Sequence, residues 1–153
     1  RLSLVAGKIL GAATVGFLQG LTFLALAGPS GLQPGAGGYL LAAAALLLAS
    51  IGLTGLGFCI AWKLDSTQGF HAVMNLFLIP MWMLSGALFP IATAPRWLGL
   101  VMRLNPVTYA VAALQHAMGG ASGLPSVGCC LLALALFALA ATLASAWVAR
   151  ASD

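Results

Sequence analysis

The side chains able to do covalent chemistry are few and poorly spaced for it. A serine hydroxyl becomes a nucleophile when a base sits within hydrogen-bond reach, and the tempting pair is Ser85, followed by Gly86, with His116. Ser85 follows Met83-Leu84, so the GxSG setting of an intramembrane serine protease is absent. An aspartyl protease needs facing carboxylates within the bilayer, but the only acids, Asp65 and Asp153, fall outside the apolar runs. Cys59, Cys129 and Cys130 lie inside such runs, without CxxC spacing and without histidines at ligand spacing. They read as small buried hydrophobes, not as metal ligands. His71 and His116 have no carboxylate near them in sequence and read as interfacial residues, not as a proton relay. The chain therefore offers no catalytic, cofactor or metal constellation of its own.

What remains is chemistry of helix shape, and it is concentrated in HAVMNLFLIPMWMLSGALFPIATAPRWLGLVMRLNPVTYAVAALQ, residues 71–115. The medium for those helices follows from composition. The chain has 153 residues, 62% of them hydrophobic and 5% charged, with a mean hydropathy of +1.09. Soluble domains carry roughly 25% charged residues, so a bilayer is the natural solvent. The net charge of +4 comes from scattered lysines and arginines, and no cluster could track a phosphate backbone, which excludes nucleic acid as a partner.

Four apolar runs approach the roughly 20 residues needed to cross the hydrocarbon core: 9–27, 39–61, 72–89 and 127–148. They show no period of two, so they read as helices and not as barrel strands. The expected fold class is an all-α integral membrane protein, residues 1–153 forming one transmembrane domain. Arg1, Lys8, Lys63 and Arg150 fall on one side of this path, and Arg96 and Arg103 on the other. The positive-inside rule makes the first side cytoplasmic, with both ends of the chain there and residues 91–126 outside. Trp62, Trp97 and Trp147 sit near span ends, as membrane-interface belts require, while Trp82 lies inside a span and should pack against a neighbour. Gly7 and Gly11, and Gly16 and Gly20, have GxxxG spacing, and Gly52, Gly55 and Gly57 crowd the second run; such residues let helix backbones approach closely. Arg1 opens beside an apolar run without a signal-peptide pattern, so the chain reads as the C-terminal part of a longer protein.

Within the third run, Pro80 removes a helical hydrogen bond and predicts a kink, and Ser85-Gly86 offers a second place to bend. Phe89-Pro90 stops the run. Pro95 suits a helix start, and Trp97, Leu100, Val101 and Leu104 then recur at helical spacing beside Arg96 and Arg103. That is a short amphipathic helix, 95–104, lying at an interface. Asn105-Pro106 breaks it, and a second short helix, 106–118, ends at Gly119-Gly120. Neither is long enough to cross, so the pair should dip into the outer leaflet and return, lining or capping something.

The string NLFLIPMWMLSGALFP, then APRWL, then Arg103-Leu104-Asn105-Pro106-Val107-Thr108-Tyr109, resembles the C-terminal half of an ABC-2 type transporter permease, most of all the drug and lipo-oligosaccharide exporter branch. The detailed resemblance covers residues 70–115. It implies the last four of six spans, a second permease subunit making a homo- or heterodimer, and a cytoplasmic ABC ATPase subunit that carries ATP and magnesium. No GxxxxGK[ST] occurs here to bind a nucleotide. It also implies outward movement of a hydrophobic or amphiphilic drug, lipid or lipid-linked saccharide across the inner (plasma) membrane. Two positions depart from the family pattern: the usual acidic and basic residues after the Asn-Pro pair are replaced by Ala112 and Gln115.

On this reading the candidate pathway and outer gate comprise Asn75, Pro80, Met81, Met83, Ser85, Gly86, Asn105, Pro106, Tyr109 and Gln115, with Gln19 and Thr22 on the first span. Asn75 and Gln19 are costly in lipid and should face other helices. The main ATPase contact of such permeases lies upstream of Arg1; within this chain Lys63 and Asp65, in an inner loop 63–71, are the candidates. The alternatives are a non-transporting membrane scaffold or assembly protein and, far behind, an intramembrane hydrolase.

Overall fold

A computed structural model describes residues 2–29, 31, 34–64, 66–88, 93–120 and 125–150. Arg1, Asp65, Asp153 and the Phe89-Pro90 step lie outside the described residues. The elements are α1 (Leu2–Ala25), α2 (Ala36–Ala61), α3 (Thr67–Trp82), a π turn (Met83–Ala87), α4 (Arg96–Leu104), α5 (Pro106–Ala117) and α6 (Val127–Arg150). Every described element is helical. Four stretches are long and apolar enough to cross a membrane: Val5–Ala25, Ala36–Ala61, Thr67–Ala87 and Val127–Arg150. The α4–α5 pair is bent by 90° at Asn105, as an Asn-Pro break between two short helices requires. The protein is a multi-pass, all-helical membrane protein.

α2 is the centre, packed against α1, α5 and α6. Its glycines explain why. A Cβ on Gly55 would lie 3.0 Å from the Ala141 backbone carbon, and one on Gly52 would lie 2.5 Å from the Phe137 ring. The absence of side chains lets α6 approach that closely. Ser145, fully buried on α6, places its hydroxyl 2.9 Å from the Gly55 carbonyl oxygen and 2.7 Å from that of Ala141. The Cys59 thiol lies 3.3 Å from the same hydroxyl, but Cys59 is only half-buried and Cys129 is exposed, because it lies on the outer face of α6; of the three cysteines expected to be buried, Cys130 alone is. Among the α1 glycines only the second pair meets a neighbour: Gly20 faces Leu46 at 3.0 Å and Gly16 faces Ser50 at 3.6 Å. A Cβ on Gly7 or Gly11 would have nothing within 4 Å, so that GxxxG spacing makes no close helix contact among the described residues.

The third helix begins earlier than hydropathy indicates. The Ser66 hydroxyl accepts from the Gly69 amide at 3.0 Å, an N-cap that satisfies a donor otherwise orphaned in the first turn. Thr67–His71 is therefore helix, and the loop expected over 63–71 shrinks to the turn after α2. α3 buries none of its residues against the rest of the chain. For the same reason Trp82, expected to pack on a neighbour, is 54% exposed.

Candidate functional site

The site is built where α3 ends. α-Helical geometry runs through Pro80 to Trp82, so proline alone does not make the break. The chain widens into the π turn and leaves helical space at Gly86, with φ 88° and ψ −1°. Glycine takes a positive φ without steric cost, unlike other residues. Such π turns often mark functional positions in helices. Ser85, 1% exposed, stabilises the turn from inside: its hydroxyl donates to the Trp82 carbonyl at 2.6 Å and lies 3.4 Å from the Ala87 amide.

The N-terminus of α5 docks on this irregular segment. Asn105 is extended (φ −83°, ψ 117°), as the residue before Pro106 must be. Its side-chain oxygen accepts from the Val107 amide at 3.0 Å, capping α5, while its amide nitrogen donates to the Met81 carbonyl at 2.6 Å. One turn on, Thr108 is fully buried and its hydroxyl donates to the Leu84 carbonyl at 3.3 Å. The Tyr109 hydroxyl donates to the Arg103 carbonyl at 2.8 Å, tying α5 back to the end of α4. α4 inserts only Met102, which is fully buried; Trp97, Leu100, Val101 and Leu104 are all exposed. Its apolar stripe therefore faces away from the chain, as an interfacial helix in lipid would present it. At its far end α5 closes in a Schellman cap. Gly119, at φ 76°, donates to His116 at 3.2 Å, and Gly120 donates to Gln115 at 2.7 Å.

The structure thus brings together Met81, Ser85, Gly86, Asn105, Pro106 and Tyr109 of the expected gate. Thr108, present in the motif but not singled out, belongs with them. Its signal was a hydroxyl one turn into a helix whose entry also carries Asn-Pro; its target, a backbone carbonyl, leaves no mark in sequence. The other candidates are not joined to this cluster. Asn75 and Gln19 are exposed among the described residues, because α1 and α3 each pack along one side only. Met83 is 40% exposed, and Pro80 lies exposed on α3. Thr22 is exposed and donates to its own helix at the Leu18 carbonyl, 2.9 Å away. Gln115 is half-buried and joins the structure through its main-chain carbonyl in the cap. Lys63 is exposed in the turn after α2. Ala112 is 1% exposed, in a core of Ala45, Ala113, Cys130 and Leu134, so its position faces packed helices and not a polar opening.

The residues weighed for hydrolysis have local partners. Ser85 donates to Trp82, and the His116 ring nitrogen Nε2 lies 2.8 Å from the Pro125 carbonyl, to which it donates. Among the described residues no three His, Cys, Asp or Glu side chains come together.

A second feature occupies the opposite end of α3. A cavity of about 590 Å³ opens between α1, α2 and α3, lined by Lys8, Leu53, Phe58, Phe70, Met74 and Leu78 among others. It is almost wholly apolar, with one cationic side chain, so it suits the hydrocarbon part of an amphiphile and offers no constellation for chemistry. α3 borders this cavity with Phe70, Met74 and Leu78 and, at its other end, offers the Met81 carbonyl to the clamp.

A family model described as ABC-2 type transporter matches residues 1–119, which takes in α1 to α5 and extends well beyond the motif segment. No curated protein and no solved structure matches the chain.

Proposed function

The chain belongs to the ABC-2 type transporter family, and from that premise, which makes it a permease subunit of an ABC transporter, we propose that it serves an exporter of hydrophobic or amphiphilic molecules. A separate cytoplasmic ATPase subunit binds and hydrolyses ATP, and a second permease subunit completes the pathway. The observation that carries the reading is the family match over α1 to α5, the elements that hold both the apolar cavity and the clamped α4–α5 pair.

The polarity of the bundle supports a direction. α1, α2, α3 and α6 alternate in sense, so Lys8, Lys63 and Arg150 share one end, while Arg96 and Arg103 lie at the other. With the first end cytoplasmic, the cavity opens on the inner side and α4–α5 caps the outer side of the plasma (inner) membrane. Substrate enters the apolar cavity beside α3, and the cap yields when the ATPase pair closes. Lys63, exposed after α2, and Asp65 are the residues proposed to touch that partner. Asn75 and Met81 on α3 and Met83 at the start of the π turn are proposed to border the path, where a greasy and adaptable surface is wanted.

The test is co-purification of the full protein with an ATPase subunit, followed by reconstitution into vesicles. ATP-dependent movement of an amphiphilic dye or labelled lipid to the far side, with ATP hydrolysis stimulated by the same compound, is the expected result. A protein that binds no ATPase subunit and moves no amphiphile would refute the reading in favour of a membrane scaffold.

A further inference from the structure

Two carbonyls near the end of α3 are engaged by α5: Met81 by the Asn105 amide at 2.6 Å and Leu84 by the Thr108 hydroxyl at 3.3 Å. In a regular α-helix these carbonyls would face the amides of Ser85 and Leu88, four residues on. The π turn shifts pairing toward the fifth residue, and Gly86, at φ 88°, takes the chain out of helical geometry between Leu84 and Leu88. Glycine does not enforce that conformation, because it adopts negative φ equally well. Residues 83–88 can therefore also wind on as ordinary helix, and α3 would then claim the same two carbonyls for itself.

The two arrangements compete: a carbonyl can accept two bonds, but the Leu88 amide reaches Leu84 in helical register only when Gly86 leaves φ 88°. While α5 is docked, Asn105 is 8% exposed and Thr108 is 0% exposed, so their bonds to the two carbonyls are made out of water. A carbonyl at this depth must keep a protein partner. If α5 withdraws, the partners at hand are the helix's own amides.

We propose that the π turn and the N-terminus of α5 are the two halves of a switch. With α5 docked, Asn105 and Thr108 hold the Met81 and Leu84 carbonyls and the turn persists. With α5 withdrawn, residues 83–88 wind into α3. α4 travels with α5 because the Tyr109 hydroxyl is bonded to the Arg103 carbonyl at 2.8 Å. Asn105 and Thr108 are positioning residues: they touch helix backbone, not substrate. The switch rests on the permease reading for its role, since it ties the outer cap to the span that borders the inner cavity.

The test uses the full protein in lipid nanodiscs. Spin labels go on Leu76 and Leu100, both exposed, at 72% and 63%, and pulsed electron resonance reads the distance between them. Asn105→Asp keeps an oxygen to cap Val107 but removes the donor to Met81. Thr108→Val keeps the shape and removes the hydroxyl. Gly86→Ala disfavours the turn itself. All three should move the population toward one common second distance, by roughly tenfold in ratio, the scale set by losing a hydrogen bond or imposing a left-handed alanine. Thr108→Ser should restore the wild-type distribution. Folded variants that keep the wild-type distance, or that scatter to three different distances, would overturn the proposal. If Asn105→Asp does not fold, Thr108→Val and Gly86→Ala decide between the same results. Failure of the wild-type protein to move any amphiphile on ATP would instead refute the exporter reading and leave the distance measurement standing.

Discussion

A side chain at Gly55 would press on the backbone of α6, whereas one at Gly11 would meet nothing within 4 Å. A Cβ at Gly55 would stand 3.0 Å from the Ala141 carbonyl carbon, 3.1 Å from its Cβ and 3.2 Å from its oxygen. Two of these neighbours are backbone, so no rotamer change relieves the contact. α2 and α6 must separate by a few tenths of an ångström, which also stretches the 2.9 Å approach of the Ser145 hydroxyl to the Gly55 carbonyl. Overpacking of this kind costs about 1–3 kcal/mol, and weakening an interhelical hydrogen bond in a membrane adds about 0.6 kcal/mol. Against this, alanine gains about 0.5–1 kcal/mol over glycine in a helix interior. Gly55→Ala should therefore lose about 0.5–3 kcal/mol net on these terms. Gly11→Ala, with nothing within 4 Å, keeps only the gain and should be neutral or more stable. Unfolding of the detergent-purified protein by sodium dodecyl sulfate, followed by circular dichroism, measures both. Equal stability of the two variants, or a larger loss at Gly11, would refute the argument that α2 glycines, and not the first α1 pair, make the close contact.

Two further substitutions test the start of α3 and the identity of residue 112. Ser66→Ala removes the acceptor for the Gly69 amide and should cost about 1 kcal/mol, with Ser66→Asp close to wild type; the same unfolding titration reads both, and an unaffected Ser66→Ala would mean the cap contributes nothing. Ala112→Glu forces a carboxyl into a site that is 1% exposed and walled by Ala45, Ala113, Cys130 and Leu134. A buried unpaired carboxyl costs several kcal/mol, so the yield of monodisperse protein on size-exclusion chromatography should collapse while Ala112→Ser survives. Ala112→Glu eluting and melting as wild type would show that the position is not sealed.

The architecture was legible because hydropathy and breakers report on the backbone directly. Long apolar runs, Pro95, Asn105-Pro106 and Gly119-Gly120 each act on their own segment, and the helices start or stop at them. Legibility fails where the deciding partner is another element. Trp82 and Asn75 looked like residues that need a helical neighbour, yet whether one exists depends on how α3 sits in the bundle. The misplaced loop at 63–71 has a different cause: the Ser66 cap is a local signal, but an averaged apolar window drowns a single hydroxyl. Gly7-Gly11 and Gly16-Gly20 have identical spacing, and only the path of α2 past α1 separates a contact from an open face.

The break in α3 shows the limit most clearly. Pro80, Ser85 and Gly86 are all helix-disturbing residues within seven positions of one another, and sequence alone points first to proline. Proline bends a helix by clashing with the carbonyl one turn back and by lacking a donor. Both effects can be absorbed on an exposed side, and α3 carries Pro80 without leaving α-geometry. Gly86 acts differently: it permits a backbone that no neighbouring residue would choose, and something outside α3 must then hold it. That holder is the N-terminus of α5, where a cap residue, Asn105, uses its second hydrogen-bonding group on another helix. The motif is thus legible as a break in the outer pair, while its further action on the third span becomes visible only when the Met81 and Leu84 carbonyls are found beside it.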